Sequence, residues 1–446
     1  MLTRFLSLVF AVAFFHQGVA QNINTAKLDS LLNYFADNNK VMGSVAISKN
    51  GTVLYNKAVG ARDINGTAVT QADENTKYRI GSISKTFTAV MVFQLIEAGK
   101  LSLDTKLSTF FPKIQNADKI TMGMLMSHRS GLHSVTDDKD YLKWNTKPIT
   151  HEAMLKKIEK YKPEFQPDEK AQYSNTNFIL LGYIIEKITG QPYANELQTR
   201  IAKPLGLTNT YVYGKIDPTK NEAQSFSFSN NQWKAESETD ITVPGGAGNI
   251  ISTPTDLVRF ATALFNGNLV TNVSLEQMKN FRDGYGMALL RFPFHDKQAL
   301  GHTGGIDGFI SMLGYFPNDS VAVATTFNGV NYNSNDVIIG ILSTYYNMPY
   351  EFPSFKTMAL SEAQLKRYEG TYSSKDMPLK ITLKRDGNVL TAQATGQSAF
   401  PLDAVSETEF KFDPAGIKMT FVIPESGAIQ TFTLKQGKSY VFTREK

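Results

Sequence analysis

The chain has 446 residues, 42% of them hydrophobic and 20% charged, and it contains no cysteine. That length exceeds one ordinary compact domain and sets two domains as the starting expectation. The net charge of +5 is spread along the sequence, which excludes a nucleic-acid-binding stripe; the missing cysteine excludes thiol nucleophiles, thiolate metal sites and disulfides.

Arg4 gives a short positive start, Phe5 to Phe15 is an apolar run, and Gly18-Val19-Ala20 supplies small residues before Gln21. This pattern predicts a cleavable secretory signal over residues 1–20 and a secreted or periplasmic mature chain. The run is too short for a permanent membrane span, and no later stretch is long and apolar enough for one. Leu28, Leu31, Leu32 and Phe35 then recur at helical spacing. Residues 41–48 and 52–55 read as strands joined by Asn50-Gly51, a strong hairpin signal.

Residues 84–98 are apolar nearly all round and precede Gly99, which predicts a buried helix with a glycine C-cap. Further helices are expected at 178–188, 256–265 and 335–346, and strands at 310–315 and 321–327. Composition shifts near Glu351-Phe352-Pro353-Ser354. After a short helical segment near 363–368, alternating apolar residues and turn signals predict a small antiparallel barrel or curved sheet.

Three segments carry chemistry. Ser82 and Lys85 stand three apart at the start of the buried helix, so both side chains share one face. A serine hydroxyl needs a base to become a nucleophile, and a buried lysine amine can serve. The alternative is a helix-capping serine beside a solvated lysine, but the helix is too apolar to expose Lys85 freely. Tyr173-Ser174-Asn175 precedes the next helix; the phenol can move protons to and from Ser82, and the Asn175 amide can bridge Lys85 and a substrate carbonyl. The alternative is a surface loop. Gly301-His302-Thr303-Gly304-Gly305 precedes an expected strand, where glycines let a substrate backbone approach the sheet edge. There the N–H groups of Ser82 and Gly305 can form an oxyanion hole, and His302, Thr303 and Gly304 can bind substrate, with a carboxylate on His302 and Thr303.

In this order, S-x-x-K, Y-x-N and H-T-G resemble the penicillin-recognising serine hydrolases: class C β-lactamases, serine D-Ala-D-Ala carboxypeptidases, D-aminopeptidases and related esterases. Leu125-Met126-Ser127-His128-Arg129-Ser130-Gly131-Leu132 and Gly245 to Thr253 resemble the same family, over roughly Ile23 to Tyr346. The tail from Tyr368 resembles the lipocalin-like domain attached to some of its peptidases. The resemblance implies an α/β fold, with an antiparallel sheet flanked by helices, an all-helical lobe and a small all-β C-terminal barrel. It divides the chain into residues 21–353 and 354–446. Class C β-lactamases carry lysine where this chain has His302, which favours a peptidase over a β-lactamase.

Two tempting signals fail. His128 and His133 lie near Asp137, Asp138 and Asp140 without an H-x-H-x-D or H-E-x-x-H pattern, so no metal site is expected. No serine sits in a G-x-S-x-G elbow. The resulting expectation is an exported serine hydrolase without cofactor. It acts through a Ser82 acyl-enzyme with Lys85 and Tyr173, on small molecules or peptides, including cell-wall peptides, that end in or are built from D-residues. The alternatives are a carboxylesterase, a weak β-lactamase and a non-catalytic penicillin-binding sensor. Oligomeric state is left open.

Overall fold

The computed structural model describes residues 23–229 and 231–445; the expected signal segment lies outside the described residues. The chain opens with helix α1 (Thr25–Asp37), capped by the Asn24 side chain, and the hairpin β1 (Val41–Lys49) and β2 (Thr52–Val59). Asn50 and Gly51 both take positive φ, 51° and 81°, as a two-residue hairpin turn matched to strand twist demands. Next come α2 (Ser84–Glu97) and α3 (Asn175–Thr189), separated by short helices and loops that form the helical lobe. Strands β3 (Phe226–Ser229) and β4 (Gln232–Ala235) form a hairpin ahead of α4 (Pro254–Phe265). The strands that complete the main sheet are β5 (Leu290–Phe294), β6 (Lys297–Ile306), β7 (Phe309–Phe316) and β8 (Val321–Val330), followed by α5 (Ser334–Tyr345).

The main sheet runs β5-β6-β7-β8-β1-β2, antiparallel throughout, with β3 attached to β8 through a single parallel bridge. Its central strands show why both faces are covered. Successive side chains point to opposite faces. Val45 and Ile47 of β1 and Val321 and Val323 of β8 pack with α1 and α5. Ala46, Ala322 and Ala324 face the other way, where their small side chains let α2 and α4 lie close. There Phe87 and Phe260 stack with ring centroids 3.7 Å apart. α2 is buried all round because the sheet covers one side and the helical lobe the other.

The glycine-rich segment Gly301 to Gly305 does not precede a strand; it lies within β6. Its low β propensity hides it in sequence, and close packing explains it. A Cβ at Gly304 would sit 2.0 Å from the Ile80 carbonyl oxygen. β5 pairs only with residues 297–301, so residues 302–306 leave one edge of β6 without a ladder partner on that side. The β3–β4 hairpin also went unpredicted: Phe226-Ser227-Phe228-Ser229 alternates, but each strand is only four residues long.

After a short helix (Glu362–Leu365), the tail forms a closed eight-stranded antiparallel barrel from Gly370–Ser373 to Lys438–Arg444. Closure, undecided by the sequence, is made by Tyr372 and Ser373 pairing with Arg444 and Thr443. It removes the exposed edges that an open sheet would present. The barrel touches the rest of the chain through Lys40, whose Nζ lies 2.9 Å from Asp413 Oδ2.

Candidate active site

Ser82 sits on a 3-10 turn (Gly81–Ile83) that runs into α2, with Lys85 in the first turn of the helix. No side chain caps this terminus, so Ser82 is not the helix cap. Gly81 takes φ +49°, and a Cβ there would lie 2.8 Å from the Gly305 nitrogen. That contact sets the Ser82 turn directly against the free-edged end of β6.

Lys85 is fully buried. Its Nζ lies 2.8 Å from Ser82 Oγ, 2.7 Å from Asn175 Oδ1 and 2.8 Å from the Ala247 carbonyl oxygen. No carboxylate pairs with it among the described residues. Burial therefore pushes the amine well below the usual lysine value. The Tyr173 hydroxyl donates to Ser82 Oγ at 2.7 Å, and burial holds the phenol above its ordinary value. It is neutral in the resting site.

Asn175 is the first residue of α3 rather than a loop residue ahead of it. Its N–H donates to Ser134 Oγ at 3.0 Å and its Nδ2 to Thr136 Oγ1 at 2.9 Å. Those bonds turn the amide oxygen towards Lys85. The structure thus brings Ser82 and Lys85 together with Tyr173 and Asn175 from two segments about 90 residues apart.

Sequence reasoning missed His128. Its ring stacks on Tyr173 at 4.4 Å, and its Nδ1 accepts the Ser174 N–H at 3.1 Å. Burial, then the charges of Lys85 and His302, hold it well below the usual histidine value. It is a neutral wall that orients Tyr173. The Leu125–Leu132 resemblance was the only signal for this segment, and its spacing to His133 matches no metal-binding pattern. His133 in fact lies against Glu164, at 2.5 Å.

His302 lies on β6 beside Tyr173. It is 2% exposed, its Nδ1 contacts the Thr303 carbonyl oxygen at 2.6 Å, and its ring lies 6.3 Å from Tyr173. Burial and the nearby Lys85 lower its pKa to about 4. Enclosure favours the neutral imidazole. Strand alternation turns Thr303 and Gly305 outward and His302 and Gly304 inward.

A cavity of about 380 Å³ opens at Ser82. Asn175, Thr136 and Ile179 line it from the helical lobe, Val243 and Ala247 from a loop, and Gly305 to Asp307 from β6 and its turn. Beneath it, the buried Arg79 guanidinium donates to Asp307 Oδ2 at 2.9 Å and Glu238 Oε2 at 2.7 Å. These bonds fix the loop that closes the far wall.

Residues 29–341 match the Beta-lactamase family model. The chain belongs to the Beta-lactamase family. It is a serine hydrolase of the penicillin-recognising type. Penicillin-binding protein 4* of Bacillus subtilis (strain 168) is 24% identical over 94% of this chain and 98% of its own length. Teichoic acid D-alanine hydrolase of Staphylococcus aureus (strain MRSA252) is 28% identical over 66% of this chain and 72% of its own. Among solved structures, the octameric penicillin-binding protein homologue from Pyrococcus abyssi matches with a TM-score of 0.65 at 24% identity, covering 94% of this chain and all of that one. The D-stereospecific amidohydrolase from Streptomyces sp. matches with a TM-score of 0.61 at 26% identity, covering 72% of this chain and 98% of that one.

Proposed function

We propose that this chain is an exported serine hydrolase that acylates Ser82 with amide or ester substrates built from D-amino acids. The observation that carries the reading is the set of contacts around Lys85. A neutral amine has two N–H groups and one lone pair. The Ala247 carbonyl and the Asn175 amide oxygen take the two N–H groups, which aims the lone pair at Ser82 Oγ. Ser82 then donates to Lys85 and accepts from Tyr173, so Lys85 is the base and Tyr173 the acid.

Ser82 loses its proton to Lys85 as Oγ bonds to the substrate carbonyl carbon. The oxyanion is held by the N–H groups of Ser82 and Gly305. When the tetrahedral adduct collapses, the carbon–nitrogen or carbon–oxygen bond breaks and Tyr173 gives its proton to the leaving group. The proton held by Lys85 restores the phenol. Water then attacks the acyl-enzyme, giving its proton to Lys85, and the adduct collapses by breaking the carbon–Oγ bond as Lys85 returns that proton to Ser82. Asn175 and His128 hold Lys85 and Tyr173 in place.

The D-configuration is supported by the relatives named for D-alanine and D-stereospecific substrates. Neutral His302 supports a peptidase or amidase over a β-lactamase, and the Phe5 to Phe15 run supports export. The test is labelling with a fluorescent fluorophosphonate, together with turnover of D-amino acid amides and D-Ala-D-Ala peptides. Wild type should label and turn over, and Ser82→Ala should do neither. A Ser82→Ala protein that labels as strongly as wild type would remove Ser82 as nucleophile.

A further inference from the structure

On the proposed mechanism, the leaving group departs towards Tyr173. The cavity beside Ser82 is walled by Asn175 and Gly305 but not by Tyr173. It therefore receives the acyl half of the substrate. Val135, Ile179, Val243 and Ile306 make much of its wall apolar, and no lysine or arginine lines it.

Glu236 and Asp307 line it and Glu238 lies behind them on Arg79, and the partners of the three carboxylates differ. Asp307 is satisfied by Arg79 at 2.9 Å, by the Thr239 N–H at 3.0 Å and by the Thr239 hydroxyl at 2.6 Å. Glu238 is satisfied by Arg79 at 2.7 Å and the Ile216 N–H at 2.9 Å. The Glu236 carboxylate lines the cavity with no hydrogen bond or ion pair among the described residues. Yet its backbone is held at both ends. Its N–H donates to the Ser225 carbonyl at 2.9 Å, and its carbonyl accepts from Gln224 Nε2 at 2.9 Å. The Arg79–Asp307–Thr239 contacts pin the loop just beyond it. A half-buried carboxylate on a pinned backbone, in an active-site cavity lined by no lysine or arginine, favours a positive group.

We propose that Glu236 binds a free ammonium group on the acyl half of the substrate. This inference rests on the hydrolase reading above and narrows it to aminoacyl amides and esters with an apolar side chain. Acyl groups without an amine, or bearing a carboxylate, are selected against.

The test compares D-phenylalanine p-nitroanilide with 3-phenylpropionyl p-nitroanilide, which lacks only the amine. Wild type should favour the first in kcat/KM by at least about tenfold, the size of one charge-assisted contact. Glu236→Gln should lower that ratio by about tenfold, mainly through KM. In wild type the ratio should also fall as pH rises through the substrate amine's pKa, near about 8. A wild-type ratio near one, or a ratio unmoved by Glu236→Gln, would overturn the proposal. Wild type alone suffices if the variant folds poorly. Ser82-dependent labelling with no preference for the amine would sink this inference and leave the hydrolase reading standing. Labelling that persists in Ser82→Ala would sink the hydrolase reading first.

Discussion

The sheet-and-helix region and the C-terminal barrel bury different things. Among the described residues, every buried polar or charged side chain but one lies at or before Thr344. Lys85, Arg79, His128, His302 and Asn177 all sit inside that first region at under 5% exposure. The barrel interior is apolar: Tyr372, Phe410, Phe421, Phe432 and Phe442 fill it, with Phe432 and Phe442 stacked at 5.2 Å. Its single buried charge, Asp413, faces out of the barrel towards Lys40. Burying a polar group costs free energy unless it is fully bonded. The first region carries that cost where Ser82 stands; the barrel core buries no such group.

The sharpest way to break this contrast is at Lys85. Lys85→Met should lower kcat/KM by about 10³ to 10⁴-fold, equivalent to about 4–5 kcal/mol of barrier, as loss of a general base does. Wild-type activity should fall on acidification, because protonation fills the lone pair aimed at Ser82. The midpoint should lie below the ordinary lysine value, in line with its burial. A pH profile centred above that value would contradict a neutral Lys85.

Phe432→Ala opens a cavity in the barrel and should cost about 3–5 kcal/mol of its stability, read by denaturant titration. Fluorophosphonate labelling of Ser82 should persist at denaturant concentrations where the barrel has melted. Simultaneous loss of both signals would show that the two regions unfold as one unit.

His302 tests the polar core by pH. Its folded pKa is about 4, against an ordinary value of 6.5. Between those values the unfolded chain binds more protons, so stability is present above pH 6.5 and is lost as pH falls towards 4. The single-site contribution is about 3 kcal/mol, and buried His128 acts in the same direction. His302→Gln should flatten the thermal midpoint's dependence on pH across that window. An unchanged slope would place the imidazole in contact with water.

The smallest effect belongs to the junction. Lys40→Met leaves Asp413 with Lys411, 3.2 Å away. The expected loss is about 1–2 kcal/mol in stability, with no change in labelling at Ser82. A larger loss would mean that the contact fastens the barrel to the sheet.

The sequence by itself determined the local elements. Short apolar runs marked β1 and β8, Asn50-Gly51 marked the hairpin, and the all-apolar stretch marked α2 as buried, because neighbouring residues alone set these patterns. It also placed Ser82 one turn from Lys85. Y-x-N spacing by itself does not single out a tyrosine, since Tyr193-Ala194-Asn195 and Tyr345-Tyr346-Asn347 carry it too; motif order and the family resemblance pointed to Tyr173-Ser174-Asn175. Folding puts the Tyr193 hydroxyl 2.6 Å from Thr88, and Tyr173 alone of the three on Ser82. Nor could spacing show that His302 turns inward, that β6 carries the glycines, or that Glu236 is left unanswered. Each is a matter of desolvation and contact between segments 90 to 230 residues apart, as with Lys85–Asn175 and Ser311–Ile80. Burial by distant segments sets the state of a titratable group, and only the assembled tertiary structure decides it.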